Sequence, residues 1–451
     1  MRDLSQPAPV HTAIQDFMAQ ELVQRQHAAP SATRLEESRG AGVALREELD
    51  DIVDSLAPVI VGLSHAIHGY AEVGWEEHQS CAEVARVLRD HGIEPTVGVF
   101  DSPTALRAHI GTGDDSQPTI AILCEYDALP VIGHGCGHNV MCANSVGAFL
   151  ALAELEKRHP GLLPGRVVLQ TTPAEECSTA KEILTQRGML EGIDAAIQTH
   201  SYNHDLTHQT WLGVRRMRFV FTGVPAHASS QPFMGRNALD AASLALQGIG
   251  LLRQQLRPMD RVHAIITDGG TVPNIIPEHT ELKAMIRSKY PETLRDVVAR
   301  VEDVFRGAAL MTGTGLEIIP DGPVNDMPVR DNGPLLESWT RAQAARGRDP
   351  LPEGVVSETI AAGTDFGNVS LRVPGIHPLI KVADGDVALH TREMTEAAGG
   401  PGGDAAAVDG AYGLGCVALD YLMDPAYREN VHADFEASGG VMDVAHFWDK
   451  Q

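Results

Sequence analysis

Thr119-Ile-Ala-Ile-Leu-Cys124 is a short apolar run that stops abruptly at Glu125-Tyr126-Asp127-Ala128-Leu129-Pro130. A run of this length, bounded by polar and turn residues, predicts a buried strand. Outward from it the pattern repeats. Asn144–Lys157, rich in Ala and Leu, predicts a helix. Arg166-Val-Val-Leu-Gln-Thr171 predicts a second strand, ending in Thr172-Pro173-Ala174-Glu175-Glu176. Ile183–Leu190 predicts a helix, and Ala195–Thr199 a third strand ending at His200. Strands alternating with helices indicate a mostly parallel, helix-covered sheet, the α/β class. Open sheets of this kind place their sites beyond the C-terminal ends of the strands.

The flanks follow other patterns. Val43–Asp90 is largely helical, with Leu45, Leu49, Ile52, Val53, Leu56, Val59, Ile60 and Leu63 at three-to-four spacing. His68-Gly-Tyr-Ala-Glu72-Val-Gly74-Trp-Glu76-Glu77 interrupts that helix, which resumes over Cys81–His91. From about Trp211 a strand (Arg216–Thr222), a helix (Ala238–Gln255), two strands (Val262–Thr267, Thr280–Arg287), a helix (Pro291–Gly307) and a strand (Gly315–Ile319) follow in order. That β-α-β-β-α-β order predicts a ferredoxin-like α+β module inserted into the first domain. The division is 1–211 with 326–451 for one domain and 212–325 for the other. Residues 1–40 read as irregular or loosely helical, Leu335–Arg346 and Asp409–Met423 as helices, and Gly399-Gly-Pro-Gly-Gly403 as a surface loop.

At 451 residues the chain is too long for one compact core, and its 43% apolar content is ordinary for a globular protein. No run of eighteen apolar residues suggests a membrane span. The N-terminus lacks the apolar stretch of a secretory signal. The cysteines at 81, 124, 136, 142, 177 and 416 lack disulfide-scaffold spacing, which points to reduced thiols and a cytoplasmic setting. A formal net charge of −25 argues against nucleic acid or an anionic membrane as partner.

Gly133-His134-Gly135-Cys136-Gly137-His138-Asn139 brings a thiol and two imidazoles together on a backbone with almost no bulk. Cys and His are preferred ligands of zinc-like cations, and glycines let neighbouring side chains converge. Glu175-Glu176, His200 and His390 add further donors. In Glu175-Glu176 one carboxylate can ligate while the other takes a proton from water, the division a metal-dependent hydrolase needs. Other readings stand beside this one. Adjacent acids also suit a helix N-terminus, a buried Cys is often inert packing, and His134 reads as a loop residue. Cys136 also suits a nucleophile with a histidine base. A non-catalytic binding or regulatory protein is the further alternative.

Taken jointly, several motifs resemble the aminoacylase/carboxypeptidase family of dinuclear metallopeptidases. They are His68…Glu72…Gly74…Glu77, Tyr126-Asp127-Ala-Leu-Pro130, Gly135-Cys136-Gly-His138-Asn139, Pro173-Ala-Glu175-Glu176, Ala226-His227-Ala228, Gly269-Gly-Thr-Val-Pro-Asn274-Ile-Ile-Pro277 and Gly363-Thr-Asp365-Phe-Gly-Asn-Val-Ser370. They span His68 to Asp420 and look most like the branch holding indole-acetyl-amino-acid hydrolases, aminobenzoyl-glutamate hydrolases and a mammalian dipeptidase. The resemblance implies that Cys136, His138, Glu176, His200 and His390 bind two divalent ions and that Glu175 is the general base. Zinc is favoured by the Cys, with manganese or cobalt tolerated. The inserted module would be a lid and dimerisation domain. His227 would stabilise the oxyanion, in some relatives from the neighbouring subunit, and Asn274 and Arg287 would hold the substrate's carboxylate side. His377 is expected to line the substrate pocket. Many members of this branch have Asp where Asn139 stands; an amide there can still orient a ligand histidine. The implied activity is hydrolysis of the amide bond of an N-acyl or aminoacyl amino acid, with water activated by two metals and Glu175. The implied partners are a small amide or dipeptide and a second copy of the chain.

Overall fold

The computed structural model describes residues 13–28, 40–111, 117–322, 324–358 and 361–449. The first segment of the larger domain runs α1 (Ala13–Ala28), α2 (Val43–Tyr70), α3 (His78–Asp90), β1 (Thr96–Val97), β2 (Leu106–Ile110), β3 (Thr119–Cys124), α4 (His138–Arg158), β4 (Arg166–Thr171), α5 (Glu175–Ser178), α6 (Ala180–Thr185), β5 (Ala195–Ile197) and β6 (His200–Tyr202). The smaller domain follows as β7 (Gly213–Thr222), α7 (Ala238–Leu252), β8 (Arg261–Asp268), β9 (His279–Ser288), α8 (Pro291–Thr312) and β10 (Gly315–Pro320). The chain then returns with α9 (Gly333–Ala345), α10 (Phe366–Ser370), β11 (Gly375–Ile376), β12 (Leu379–Lys381), α11 (Arg392–Ala398), α12 (Pro401–Met423) and α13 (Pro425–Ala437). The rest of the N-terminal expectation for residues 1–40 lies outside the described residues.

Among the described residues, the main sheet has the order β1-β2-β4-β3-β5-β11. Its β4, β3, β5 and β11 are parallel, while β2 joins β4, and β1 joins β2, antiparallel. Strand β3 shows why this sheet is covered on both sides. Ile120, Ile122 and Cys124 face the core built with α2, α4 and α12. Ala121 and Leu123 face a second cluster with Leu184 of α6 and Phe366 of α10. Side chains alternate across a strand, so a strand wholly buried must be apolar throughout, as this one is. Helix α2 is long and apolar enough by composition to cross a membrane. Its Leu49, Ile52, Val53, Ile60, Leu63 and Ile67 are buried in the core, the position of an internal helix.

The smaller domain has the sheet order β10-β7-β9-β8, all antiparallel, with α7 and α8 packed on it. This is the expected ferredoxin-like arrangement. Its own core forms around Phe219, Phe221 and Phe305, with Phe219 stacked on Phe305 at 3.6 Å between ring centres.

The sequence reading fails at Gly399–Gly403. Gly400 caps α12, and Pro401, Gly402 and Gly403 form its first turn. Pro fits the first helical position, where its missing N–H costs nothing. A Cβ on Gly402 would lie 2.2 Å from the Val382 carbonyl, and one on Gly403 2.2 Å from that of Ala398. The glycines serve close packing and not a loop.

The contact between α2, α4 and α12 depends on Gly147, where a Cβ would lie 2.7 Å from the Ile60 side chain and 3.0 Å from Ala411 Cβ. Gly147→Val is expected to destabilise the fold by about 1–3 kcal/mol through overpacking. Gly62→Ala, on the same helix as Ile60 but with open space around it, is expected to do no harm. Denaturant midpoints of the two variants test the difference.

Candidate metal centre

Two glycine-dependent close approaches build the site. Gly137 has φ +71°, ends the turn before α4, and lies so close to β6 that a Cβ would meet Ser201 Cβ at 2.6 Å. The Ser201 hydroxyl donates to the Gly137 carbonyl at 3.0 Å. The turn carrying Cys136 and His138 is thereby pressed against the strand carrying His200. On the other side, His390 takes a left-handed backbone, φ +62°, and its N–H donates to the Gly135 carbonyl at 3.0 Å. This sets the His390 Nε2 2.9 Å from Cys136 Sγ and 3.7 Å from a Glu176 carboxylate oxygen.

The donor atoms fall into overlapping groups. Those of Cys136, His138 and His200 lie within 4.8 Å of one another, as do those of Cys136, Glu176 and His390, and those of His138, Glu175 and Glu176. Cys136, His138 and Glu176 each belong to two of these groups, so the donors form one continuous cluster that would hold more than one cation. The residues fit such ions on a further observation. Glu176 Oε1 is buried within the cluster with no hydrogen-bond partner, and His138 Nε2 is buried there with only a Glu125 oxygen, 3.2 Å away, beside it. Polar atoms buried in this way carry a desolvation cost that a cation removes.

The ligands are fixed from behind. His138 Nδ1 donates to the Asp127 backbone carbonyl at 2.8 Å and lies 3.1 Å from its carboxylate, which leaves Nε2 to face the cluster. The other Asp127 oxygen accepts the Glu176 N–H at 2.9 Å. One carboxylate thus orients ligands from two different strand ends. His200 is set the same way by a 2.7 Å bond from Nδ1 to the Ser201 carbonyl. Asn139 does not take part: its amide donates to Ser64 Oγ and to the Ala398 carbonyl, both at 2.9 Å, and ties α4 to α2 and α11. The orienting role foreseen for Asn139 belongs to Asp127. His134 bonds the Ile67 carbonyl at 3.0 Å and is buried away from the ligands.

Burial, then the carboxylates of Glu125 and Glu176, push the Glu175 carboxyl well above the usual range. Burial, then Glu176 and Glu175, raise the Cys136 thiol likewise. Burial also lowers His200, to about 4, with His138 adding to it. The surroundings of Cys136 therefore oppose a free thiolate, the state a cysteine nucleophile needs, and favour one only beside cations.

Three residues without a predicted role complete the floor. Glu125, at the end of β3, lies with one oxygen 3.2 Å from His138 Nε2. Its other oxygen accepts from Lys181 and Gln198. The Lys181 ammonium also reaches Asp365 at 2.6 Å, and all three charged groups are fully buried. Burial opposes the Lys181 charge, but Asp365 and Glu125 outweigh it and hold the pKa above the ordinary lysine value. The local sequence carries no signal of this, since Lys181 is flanked by Ser178, Thr179 and Glu182 and reads as a surface lysine.

The remaining predicted residues are scattered. His227 and Asn274 are exposed on neighbouring segments of the smaller domain, where Ala228 N–H bonds the Asn274 carbonyl at 3.0 Å. The His227 ring accepts from the Ser229 and Ser230 N–H groups, both at 3.2 Å. Arg287 is half-buried on β9, in the field of Arg216 and Asp326. His377, expected at the substrate pocket, is instead wholly buried, 5.5 Å from the His200 ring and packed against Trp211 and Phe366. Both of its ring nitrogens are buried without a hydrogen-bond partner, beside the His200 ring.

Comparison with known proteins agrees with this geometry. Residues 212–310 match the peptidase dimerisation domain model. Xaa-Arg dipeptidase of Mus musculus is 34% identical over 403 residues, 87% of this chain and 92% of its own length. A p-aminobenzoyl-glutamate hydrolase polypeptide of Escherichia coli (strain K12) is 30% identical over 290 residues, 60% of this chain and 59% of its own. A Bacillus subtilis protein described as a dinuclear metal-binding peptidase of the M20 family shares the fold, with TM-score 0.62 and 20% identity over 82% of this chain and 98% of that one.

Lys181→Met leaves Glu125 and Asp365 buried without their cation. Breaking a buried ion pair from one side costs about 3–5 kcal/mol. The variant is expected to melt well below the parent, and an unchanged melting temperature would show that the clamp contributes nothing to stability.

Proposed function

Since the chain belongs to the M20 family of metal-dependent amide hydrolases, we propose that it cleaves the amide between an acyl or aminoacyl group and an amino acid with a free carboxylate. The observation carrying this reading is the single cluster of overlapping donor groups from Cys136, His138, Glu176, His200 and His390, with Glu175 in the group of His138 and Glu176. Zinc is the first candidate because of the thiolate, with manganese or cobalt compatible with the carboxylates and imidazoles. Two divalent ions bound here would polarise the scissile carbonyl and acidify the attacking water.

The chain's own residues do the rest. Glu175 accepts a proton from the attacking water and passes it to the leaving amine. Glu176 is committed to binding, which separates the two carboxylates by role. Asp127 keeps His138 and the Glu176 backbone in register. On the smaller domain, His227 and Asn274 are exposed and adjacent, so closure of that domain would present them together to the oxyanion and the substrate. Arg287 lies near Arg216, which is paired with Asp326 at 2.9 Å, so Arg287 is the guanidinium of this group that would meet the substrate's carboxylate. The dimerisation-domain match supports a homodimer through this lid. Among substrates, dipeptides ending in arginine and aminobenzoyl-glutamate-like amides come first, following the names of the relatives. A net charge of −25 would attract the cationic ones. The cytoplasm, expected from the cysteine pattern, remains part of the proposal.

Glu175→Gln is expected to retain metal while kcat falls roughly 10²–10⁴-fold, the usual contribution of a general base. Turnover at the parental rate would end the assignment. Cys136→Ser is expected to lower the metal content of the purified protein by elemental analysis. Full metal content with no activity would instead revive the cysteine nucleophile.

A further inference from the structure

The loop between α2 and α3 runs directly beneath the turn that carries Glu175 and Glu176. Glu72 closes the loop, accepting the Gln79 and Ser80 N–H groups at 2.9 and 2.8 Å. Gly74 lies so near the turn that a Cβ would be 2.8 Å from Ala174 Cα and 2.6 Å from Cys177 Sγ. Trp75, itself left-handed at φ +70°, donates its indole N–H to Ser178 Oγ at 2.9 Å. Glu77 is fully buried, and one of its oxygens accepts the Ala174 N–H at 2.8 Å. Its carboxylate also interacts with the Thr104 hydroxyl.

Ala174 is the residue before the base, and its backbone is left-handed, φ +62° and ψ +36°. An L-residue with a Cβ adopts that conformation only where its surroundings impose it. Two further residues with a Cβ and a left-handed backbone flank the same turn, Trp75 in the loop beneath it and Thr179 at its far end. Burying a carboxyl group is costly, and burial followed by the Asp127 charge raises the Glu77 pKa to about 7. A side chain held at that cost, with its oxygen on the N–H of a strained residue beside the base, calls for a function.

We propose that Glu77 is a positioning residue for the amide hydrolysis: by accepting the Ala174 N–H it holds the left-handed turn that aims Glu175 and Glu176 into the metal centre. The requirement is an oxygen at a fixed reach and not a negative charge. Gln supplies that oxygen at the same distance, whereas Asp is one methylene too short. The kinetic consequence rests on the amidohydrolase reading; the structural one does not.

The experiment compares Glu77→Gln, Glu77→Asp and Glu77→Ala with the parent. It reads kcat and KM on a dipeptide that the parent cleaves, metal per chain, and hydrogen exchange of the peptide covering residues 172–180. Expected for Glu77→Gln are parental kcat and parental exchange. For Asp and Ala, the loss of one buried hydrogen bond corresponds to about a tenfold fall in kcat with KM little changed. Exchange over 172–180 is expected to quicken by a similar factor, with exchange over 195–202 unaffected. Should the Ala variant fail to fold, the contrast between Gln and Asp decides alone. An active Asp variant beside an impaired Gln variant means that charge matters and reach does not, which overturns the proposal. Equal impairment of all three, or parental behaviour of Ala, overturns it too. If the parent cleaves no amide, the functional reading fails, and the exchange data alone support or sink the role of Glu77.

Discussion

Glu125, Asp127, Glu175, Glu176 and Asp365 gather with the Cys136 thiol in one largely buried region, and this concentration of like charge constrains everything around it. Two charges about 4 Å apart interact by about 4 kcal/mol at an effective dielectric of 20, so carboxylates crowded together without cations protonate instead. Burial first, and then these neighbouring charges, push Glu175 and Cys136 up, while the carboxylates of Glu125 and Asp127 pull His138 above the ordinary imidazole value despite its burial. Lys181 resolves part of it, for Glu125 and Asp365. The remainder, centred on Cys136 and Glu176, is left for external cations. Divalent cations bound here would relieve the charge balance of the folded chain as well as suit the donor types.

The topology explains how such groups come together at all. Strands β3, β4 and β5 are parallel neighbours, so the segments leaving their C-terminal ends emerge side by side. The first delivers Glu125 and Asp127, the second Glu175 and Glu176, and the third leads into β6, which opens with His200. Asp127 then ties two of these exits together through His138 and the Glu176 N–H. A doubly covered sheet is stiff, and this stiffness is what lets one carboxylate keep ligands from different strands in register.

Long apolar patterns were legible in the sequence and short or paired ones were not. Thr119–Cys124 and Arg166–Thr171 were read to the residue, because each is an apolar run ended by polar or turn residues. The short β1, β11 and β12 carry too few residues to show a period, and none was foreseen. The donors Cys136, His138, Glu175, Glu176, His200 and His390 stood out by residue type, and the structure brings them together. The Lys181 clamp did not stand out, since its partners lie 56 and 184 residues away in the chain. Nor did the burial of His377, whose local sequence is that of a loop and whose neighbours Trp211 and Phe366 are set by tertiary packing.

The turn bearing Glu175 and Glu176 is strained at both ends. Ala174 precedes it at φ +62° and Thr179 follows it at φ +51°, each a left-handed residue with a Cβ. Such residues cost of order 1–3 kcal/mol apiece and persist only where their surroundings over-determine them. Ala174 is held by Glu77. Thr179 is held by the hydroxyl bond to Asp326, whose other carboxylate oxygen pairs with Arg216 of β7 at 2.9 Å. Asp326 lies where the chain leaves the smaller domain, and its backbone bridges Val214 at that domain's start. The two anchors therefore differ in kind. The Glu77 anchor belongs to the rigid layer under the sheet exits, whereas the Thr179 anchor sits on the junction between domains. The turn that carries Glu175 and Glu176 is thus tied at one end to the layer beneath the sheet exits and at the other to the junction between the two domains.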